Sequence, residues 1–204
     1  VYFAGGLVRN SIFSGNRADE GGGVYFHQSG TLESCTVTDN QSIQDGSGVK
    51  FSGGGTSINS IVYFNAGDNY FLDGSGQSFQ NTCTTPALSG AADKGGNISG
   101  DPSLLYRPET VLHLRPDSPC INAGTNLAWM TGATDLYGTS RQLAGTVDMG
   151  AYEFGPLVCH FIGEPKNGPP PLNVTFTNFV TGTNLTVLMH RWDAQNDGTP
   201  ETNS

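Results

Sequence analysis

Asp193, Gln195 and Asp197 alternate with other residues just before Gly198, and Glu201 is placed to add a further oxygen. Alternating oxygen ligands around a glycine turn are what a hard cation such as Ca2+ takes from a loop. The glutamine in place of a carboxylate, and the want of a closing bidentate glutamate, leave a second reading open: a solvated turn joining two strands. Polysaccharide cleavage would instead need paired carboxylates with a cation or a basic side chain along one strand face. Asp19, Glu20, Glu33, Asp39, Asp45 and Lys50 do not fall at positions that stack on a common strand. His27 and His113 stand alone, and Ser118 sits in a Ser-Pro-Cys turn unlike a nucleophile elbow. The expectation is a protein without enzymatic activity.

Two further residue types carry covalent chemistry. Asn40, Asn97, Asn173 and Asn184 head Asn-x-Ser/Thr triplets, the acceptor pattern for N-glycosylation. Four cysteines, Cys35, Cys83, Cys120 and Cys159, lack the Cys-x-x-Cys spacing of a zinc knuckle. They read either as disulfides of an oxidising compartment or as buried thiols. A Cys83–Cys120 bridge is the pairing expected, because both residues sit in loop-like, proline-containing stretches (NTCTTP and DSPCINAG). Cys35 lies mid-strand and reads as a small core residue.

The elements that must hold these residues are short strands. Among 204 residues there are 29 glycines and only 13% charged side chains, and Ser, Thr and Asn fill most other polar positions. Gly and Asn tolerate positive φ, while Thr, Val, Ile and Phe suit a pleated surface. No apolar run approaches the ~20 residues that span a bilayer, and no signal segment opens the chain. A net charge of −9 argues against nucleic acid, which needs a basic face. An acidic, lysine-poor surface fits a secreted protein or a cation binder.

The first third repeats. VYFAGGLVRNSIFSGN, VYFHQSGTLESCTVTDN and VKFSGGGTSINSIVYFN align Val1, Val24 and Val49, then Phe3, Phe26 and Phe51, then Asn16, Asn40 and Asn65. Each unit is too short for a helical crossover and cannot bury its apolar face alone, whereas stacked coils can. The pattern predicts a right-handed parallel β-helix in which Asn16, Asn40 and Asn65 form a ladder of side-chain amides. An inward ladder residue could not also carry a glycan, so Asn40 serves only one of its two readings.

Beyond about residue 80 the repeat dissolves, and the motifs that follow resemble the C-terminal region of bacterial secreted proteins with a choice-of-anchor Q domain. The matching residues are Asn97, Asp101-Pro102, His113-Leu114, Ser118 to Ile121, Ala123-Gly124, Thr134-Asp135, Gly138, Arg141 and the run Val147 to Glu153. Tyr137 departs from the polar residue usual there. The resemblance covers roughly residues 1–155 and implies a β-helix ending in a cap, in which Asp135, Arg141, Asp148 and Glu153 could form a charged cluster.

After Gly155-Pro156 the texture changes again. The strand at 157–161, the Gly-Pro-Pro-Pro-Leu turn, the alternating NVTFTNF and the Trp192-Asp193 pair resemble the first part of a polycystic-kidney-disease-type (PKD) module, an immunoglobulin-like β-sandwich with Trp192 in its core. A full sandwich uses about 7 strands, more than this stretch supplies. Val1 likewise enters directly as a strand. Both extremities thus read as unfinished, and the expectation is an extracellular structural or adhesive module of a bacterial surface that adds copies of itself head-to-tail, by strand complementation, into a filament. The competing expectation is a carbohydrate-binding or polysaccharide-degrading β-helix, with Tyr2, Tyr25 and Tyr63 as a platform for extracellular polysaccharide.

Overall fold

The computed structural model describes residues 1–105 and 112–155 and, as backbone strands, Val158–Glu164 and Thr175–Thr181. The described residues are all-β apart from two single 3-10 turns. The first 84 residues wind into a parallel β-solenoid of about three turns. Coil 1 holds β1 (Tyr2–Phe3), β2 (Gly6–Arg9), β3 (Ile12–Ser14) and β4 (Arg17–Ala18). Coil 2 holds β5 (Val24–Phe26), β6 (Gly30–Glu33), β7 (Thr36–Thr38) and β8 (Gln41–Ser42). Coil 3 holds β9 (Val49–Phe51), β10 (Gly55–Ile58) and β11 (Ile61–Val62), and the shorter coil 4 holds β12 (Tyr70–Leu72), β13 (Gln77–Gln80) and β14 (Cys83–Thr84).

Stacking these coils makes three four-stranded parallel sheets: A (β1-β5-β9-β12), B (β2-β6-β10-β13) and C (β3-β7-β11-β14). The register is set by like residues lying over like. Phe3 faces Phe26, Phe26 faces Phe51, and Phe51 faces Leu72. The rings of Phe3 and Phe26 stack at 5.4 Å and those of Phe26 and Phe51 at 5.3 Å, while Phe79 meets Phe51 edge-on. Val8, Val24, Val49, Leu32, Val37 and Val62 fill the remaining interior. The rings of Phe26 and Phe51 lie against a glycine four residues on: a Cβ at Gly30 would run into Phe26, and one at Gly55 into Phe51. The glycines that follow β5 and β9 are therefore a packing requirement as well as a bend.

Coil 4 extends the repeat beyond what the aligned sequences predict. Its strands hold register, but the step from Val49 to Tyr70 is shorter than the step from Val24 to Val49 because coil 3 has only a single bridge, at Ala66, in place of the arm formed by β4 and β8. Over it lies a further layer, attached by parallel bridges from Phe79 to Asp93 and from Cys83 to Ile98. The antiparallel pair β15 (Leu104–Leu105) and β16 (His113–Leu114) follows. Leu104, Leu112, Leu114, Cys120 and Met149 then form a second core against Ile61 and Cys83.

Residues 1–155 and 156–204 are two separate compact units. The second contains the antiparallel pair β17 (Val158–Glu164) and β18 (Thr175–Thr181).

Deleting one ring of the phenylalanine stack tests its weight. Phe26→Ala should cost about 3–5 kcal/mol, the range for emptying a buried aromatic site, read as a lowered urea midpoint.

Candidate functional site

The polar groups of the first unit are concentrated along two corners of the solenoid. At the corner after sheet C, the Oδ1 of Asn40 accepts from both the backbone and the side-chain amide of Asn16, at 2.9 and 3.0 Å. Asn65 does the same for Asn40, at 3.0 and 2.9 Å. The next rung is not supplied by a new coil: Asn69, four residues on, accepts from Asn65 and donates to the Thr85 carbonyl. An asparagine suits this place because its amide is donor and acceptor at once, so identical residues satisfy one another when stacked.

At the corner between sheets B and C, Asn10, Ser34, Asn59 and Asn81 occupy equivalent positions of the four coils, all with left-handed backbone (φ 52, 48, 51 and 46°). Asn tolerates that conformation better than most residues. Across this row runs a strap, residues 122–155, that bonds to each coil. Asn81 donates to the Ala123 carbonyl, and Asn59 donates to Thr125 O while accepting from Thr125 N. Gly150 N donates to the Asn59 carbonyl at 2.7 Å. Asn10 donates to Thr134 O at 3.1 Å. A Cβ on Gly150, whose φ is +100°, would meet Ile61 and Thr36 at 2.9 Å, so only glycine lets the strap lie this close. Arg9, paired with Glu33 at 2.9 Å, also stacks its guanidinium over the Trp129 ring of the strap. His113 of β16 stacks on Tyr152 at 4.0 Å.

Under the strap lies the charged cluster that the motifs predict. Arg141 is fully buried. Its Nη1 donates to Glu153 and to the Gly150 carbonyl, both at 3.0 Å. Its Nη2 donates to Asn10 Oδ1, to Ala151 O and to Ser34 O, joining the strap to coils 1 and 2. Asp135 and Asp148 complete the cluster through the backbone. Asp135 accepts from Tyr137 N, Thr139 N and Glu153 N, and Asp148 accepts from Asn122 N and Phe154 N. One guanidinium thus faces three buried carboxyls. Burial, reinforced by the neighbouring Asp148 charge, pushes Glu153 up to about 8. Burial also lifts Asp148 to about 6, against the lowering effect of its two backbone donors.

Several expected sites change on inspection of the fold. Asn40 is buried with its side-chain nitrogen bonded inside the ladder, so it cannot carry a glycan in this fold. Asn97 is committed as well: its nitrogen donates to Phe79 O and Asp93, and its oxygen accepts from Thr82 N. Cys83 and Cys120, the expected pair, are unbridged in this structure and both belong to the second core. Cys35 is a buried core thiol, pushed up to about 12 by burial. Tyr2 and Tyr25 lie in register on the outer face of sheet A, but Tyr63 is elsewhere, against Phe64 with its hydroxyl on Ser99 O. Asn173, Asn184, Trp192 and the calcium candidates Asp193, Gln195, Asp197 and Glu201 lie outside the described residues. Sequence reasoning missed the corner row and Asn69. The recurring Asn-Ser, Asn-Ser and Asn-Thr dipeptides at 10, 59 and 81 were the available signal for the row.

Comparison of the chain with protein-family models, with curated proteins and with solved structures finds no match.

Two outcomes follow from the cluster. Removing its single cation strands buried carboxyls, so Arg141→Met should destabilise the solenoid unit by about 3 kcal/mol or more in urea unfolding. The carboxyl groups bind protons more tightly folded than unfolded, where their ordinary values are 4.5 and 3.8. Their contribution is therefore complete below the unfolded values and is lost as pH rises through about 6 and about 8. The melting temperature should fall as pH rises from the unfolded values of 3.8 and 4.5 to about 8, and Glu153→Gln should flatten the part of that fall above about 6.

Proposed function

We propose that this chain is an extracellular structural or adhesive module of a bacterial surface, a right-handed β-helix followed by a PKD-like sandwich, that adds copies head-to-tail by strand addition. The observation that supports the reading is that, among the described residues, β1, β2 and β3 are edge strands of sheets A, B and C. Their outer backbone edges run alongside exposed apolar side chains, Tyr2 at 60% and Leu7 at 52%. Such an edge is a template for another strand. The opposite end is dressed by the chain's own layer at Asp93 and Ile98 and by the second core. Addition of a donor strand to such an edge joins unlike surfaces, so the contact is head-to-tail, the condition for a filament over a closed pair. Strands after Gly155, where β17 and β18 pair only with each other among the described residues, are the proposed donors.

A second reading has its own observation. Tyr2, Tyr25 and His27 make a contiguous aromatic group on the outer face of sheet A, with ring centroids 5.3 to 6.0 Å apart. Sugar rings stack on such faces, so this surface is where an extracellular polysaccharide would bind.

Analytical ultracentrifugation and negative-stain imaging of the chain test the first reading. Concentration-dependent, elongated oligomers are expected, and Tyr2→Lys with Leu7→Lys should abolish them, since charge on an edge blocks strand addition. A monomer at every concentration sinks it.

A further inference from the structure

We infer that Cys83 and Cys120 are a disulfide-forming pair that joins the cap covalently to the last coil of the solenoid. Cys83 opens β14, the last strand of sheet C, and Cys120 lies in the Ser-Pro-Cys turn that precedes the strap. They come from separate segments yet sit together, both fully buried in the core formed by Ile61, Leu104, Leu112, Leu114 and Met149. The Cys120 thiol is near enough to raise the proton affinity of Cys83, whose own Sγ donates to Gly100 O at 3.3 Å.

The backbone on both sides is already fixed. Cys83 N donates to Ser60 O at 2.8 Å, and Cys83 bridges to Ile98. Cys120 N is held by Ser118 Oγ, and its carbonyl accepts from Met149 N. No third thiol of this unit competes: Cys35 belongs to the other core, its Sγ on the carbonyls of Glu33 and Val8.

The step is a two-electron oxidation. Both S–H bonds break, one S–S bond forms, and two protons and two electrons pass to an oxidising disulfide such as glutathione disulfide, which leaves as two thiols. Exchange needs a thiolate and access for the oxidant. Once the cap is docked both are scarce, because the neighbouring Cys120 thiol, and after it burial, raise the Cys83 group far above its ordinary value. The bond is therefore made during folding, before the cap closes, and is afterwards shielded from reductant. It closes a loop of more than thirty residues, the kind of link that restricts the unfolded chain most. This inference is independent of the assembly reading, since it concerns the inside of one copy.

The experiment is refolding of the denatured, reduced 204-residue chain in a glutathione redox buffer. It is followed by alkylation under denaturing conditions and non-reducing peptide mapping. A mass about 2 Da below the reduced chain, two unreacted cysteines and a linked Cys83–Cys120 peptide are expected. The oxidised protein should also melt several degrees above the reduced one, a gap that Cys120→Ser removes. Four alkylated cysteines after refolding, or a link from Cys83 to Cys35 or Cys159, would overturn the inference. If the serine variant does not fold, the peptide map of the unaltered chain decides alone.

Discussion

A solenoid coil of this size has no interior of its own, and everything in the structure follows from the need to lay each coil on the next in one register. Strands in a sheet lie about 4.8 Å apart, so whatever stands at a position in one coil meets its counterpart in the neighbour. Side chains that attract their own kind are therefore favoured. Phenylalanine stacks on phenylalanine through Phe3, Phe26 and Phe51, and asparagine bonds asparagine through Asn16, Asn40 and Asn65. Like charges would repel at that distance, which accounts for a chain with only 13% charged residues. Where charges do stack they alternate in sign or kind. Arg9 lies over Glu33 in register, and Lys50, between Tyr25 and Phe71 in sheet A, draws on their ring faces and on Glu20.

The same rule explains which parts of the fold are readable in the sequence. The valine, phenylalanine and asparagine columns are visible because stacking selects identity, and identity at a fixed step is what an alignment of the chain with itself detects. Coil 4 escapes because the turn leading into it from coil 3 is shortened and its column continues with Leu72 and Phe79, which fill the same core without repeating the letter. Asn69 escapes for a related reason: it completes the amide ladder from within the same coil, off the repeat. The conflict between ladder and glycosylation triplet at Asn40 is decided by burial, since a side-chain nitrogen bonded to Phe13 O and Thr38 O has no room for a sugar.

The charged cluster was readable as a set of residue types but not as a geometry. Asp135, Arg141, Asp148 and Glu153 stand together in the folded chain, yet only Glu153 touches the guanidinium among the three acids with a direct ion pair. The two aspartates act on main-chain N–H groups, holding the turns at 122, 137, 139, 153 and 154 in place. Spacing along a sequence carries no information on whether a carboxylate meets a cation or a backbone amide. Tyr63 illustrates the same limit from outside the core: its type suggested membership of a surface row, whereas its coil position turns it towards Ser99.

A buried ion pair is a poor source of stability, because desolvating its members cancels most of their attraction. Its value here lies in breaking a degeneracy that the repeat creates. The corner row offers the strap nearly the same landing site on every coil, with left-handed backbone at Asn10, Ser34, Asn59 and Asn81. A strap held only by such contacts could slide by one coil at small cost. Arg141 removes that freedom, because its fork requires the side-chain oxygen of Asn10 on one coil and the carbonyl of Ser34 on the next. Ser34 is the one member of the row with a shorter side chain than asparagine. Shifted by one step, the guanidinium would meet the short Ser34 side chain where it now meets the Asn10 amide oxygen, with its carboxylates still buried. The cost of burying the cluster is thus what fixes the register of the cap on an otherwise repeating surface.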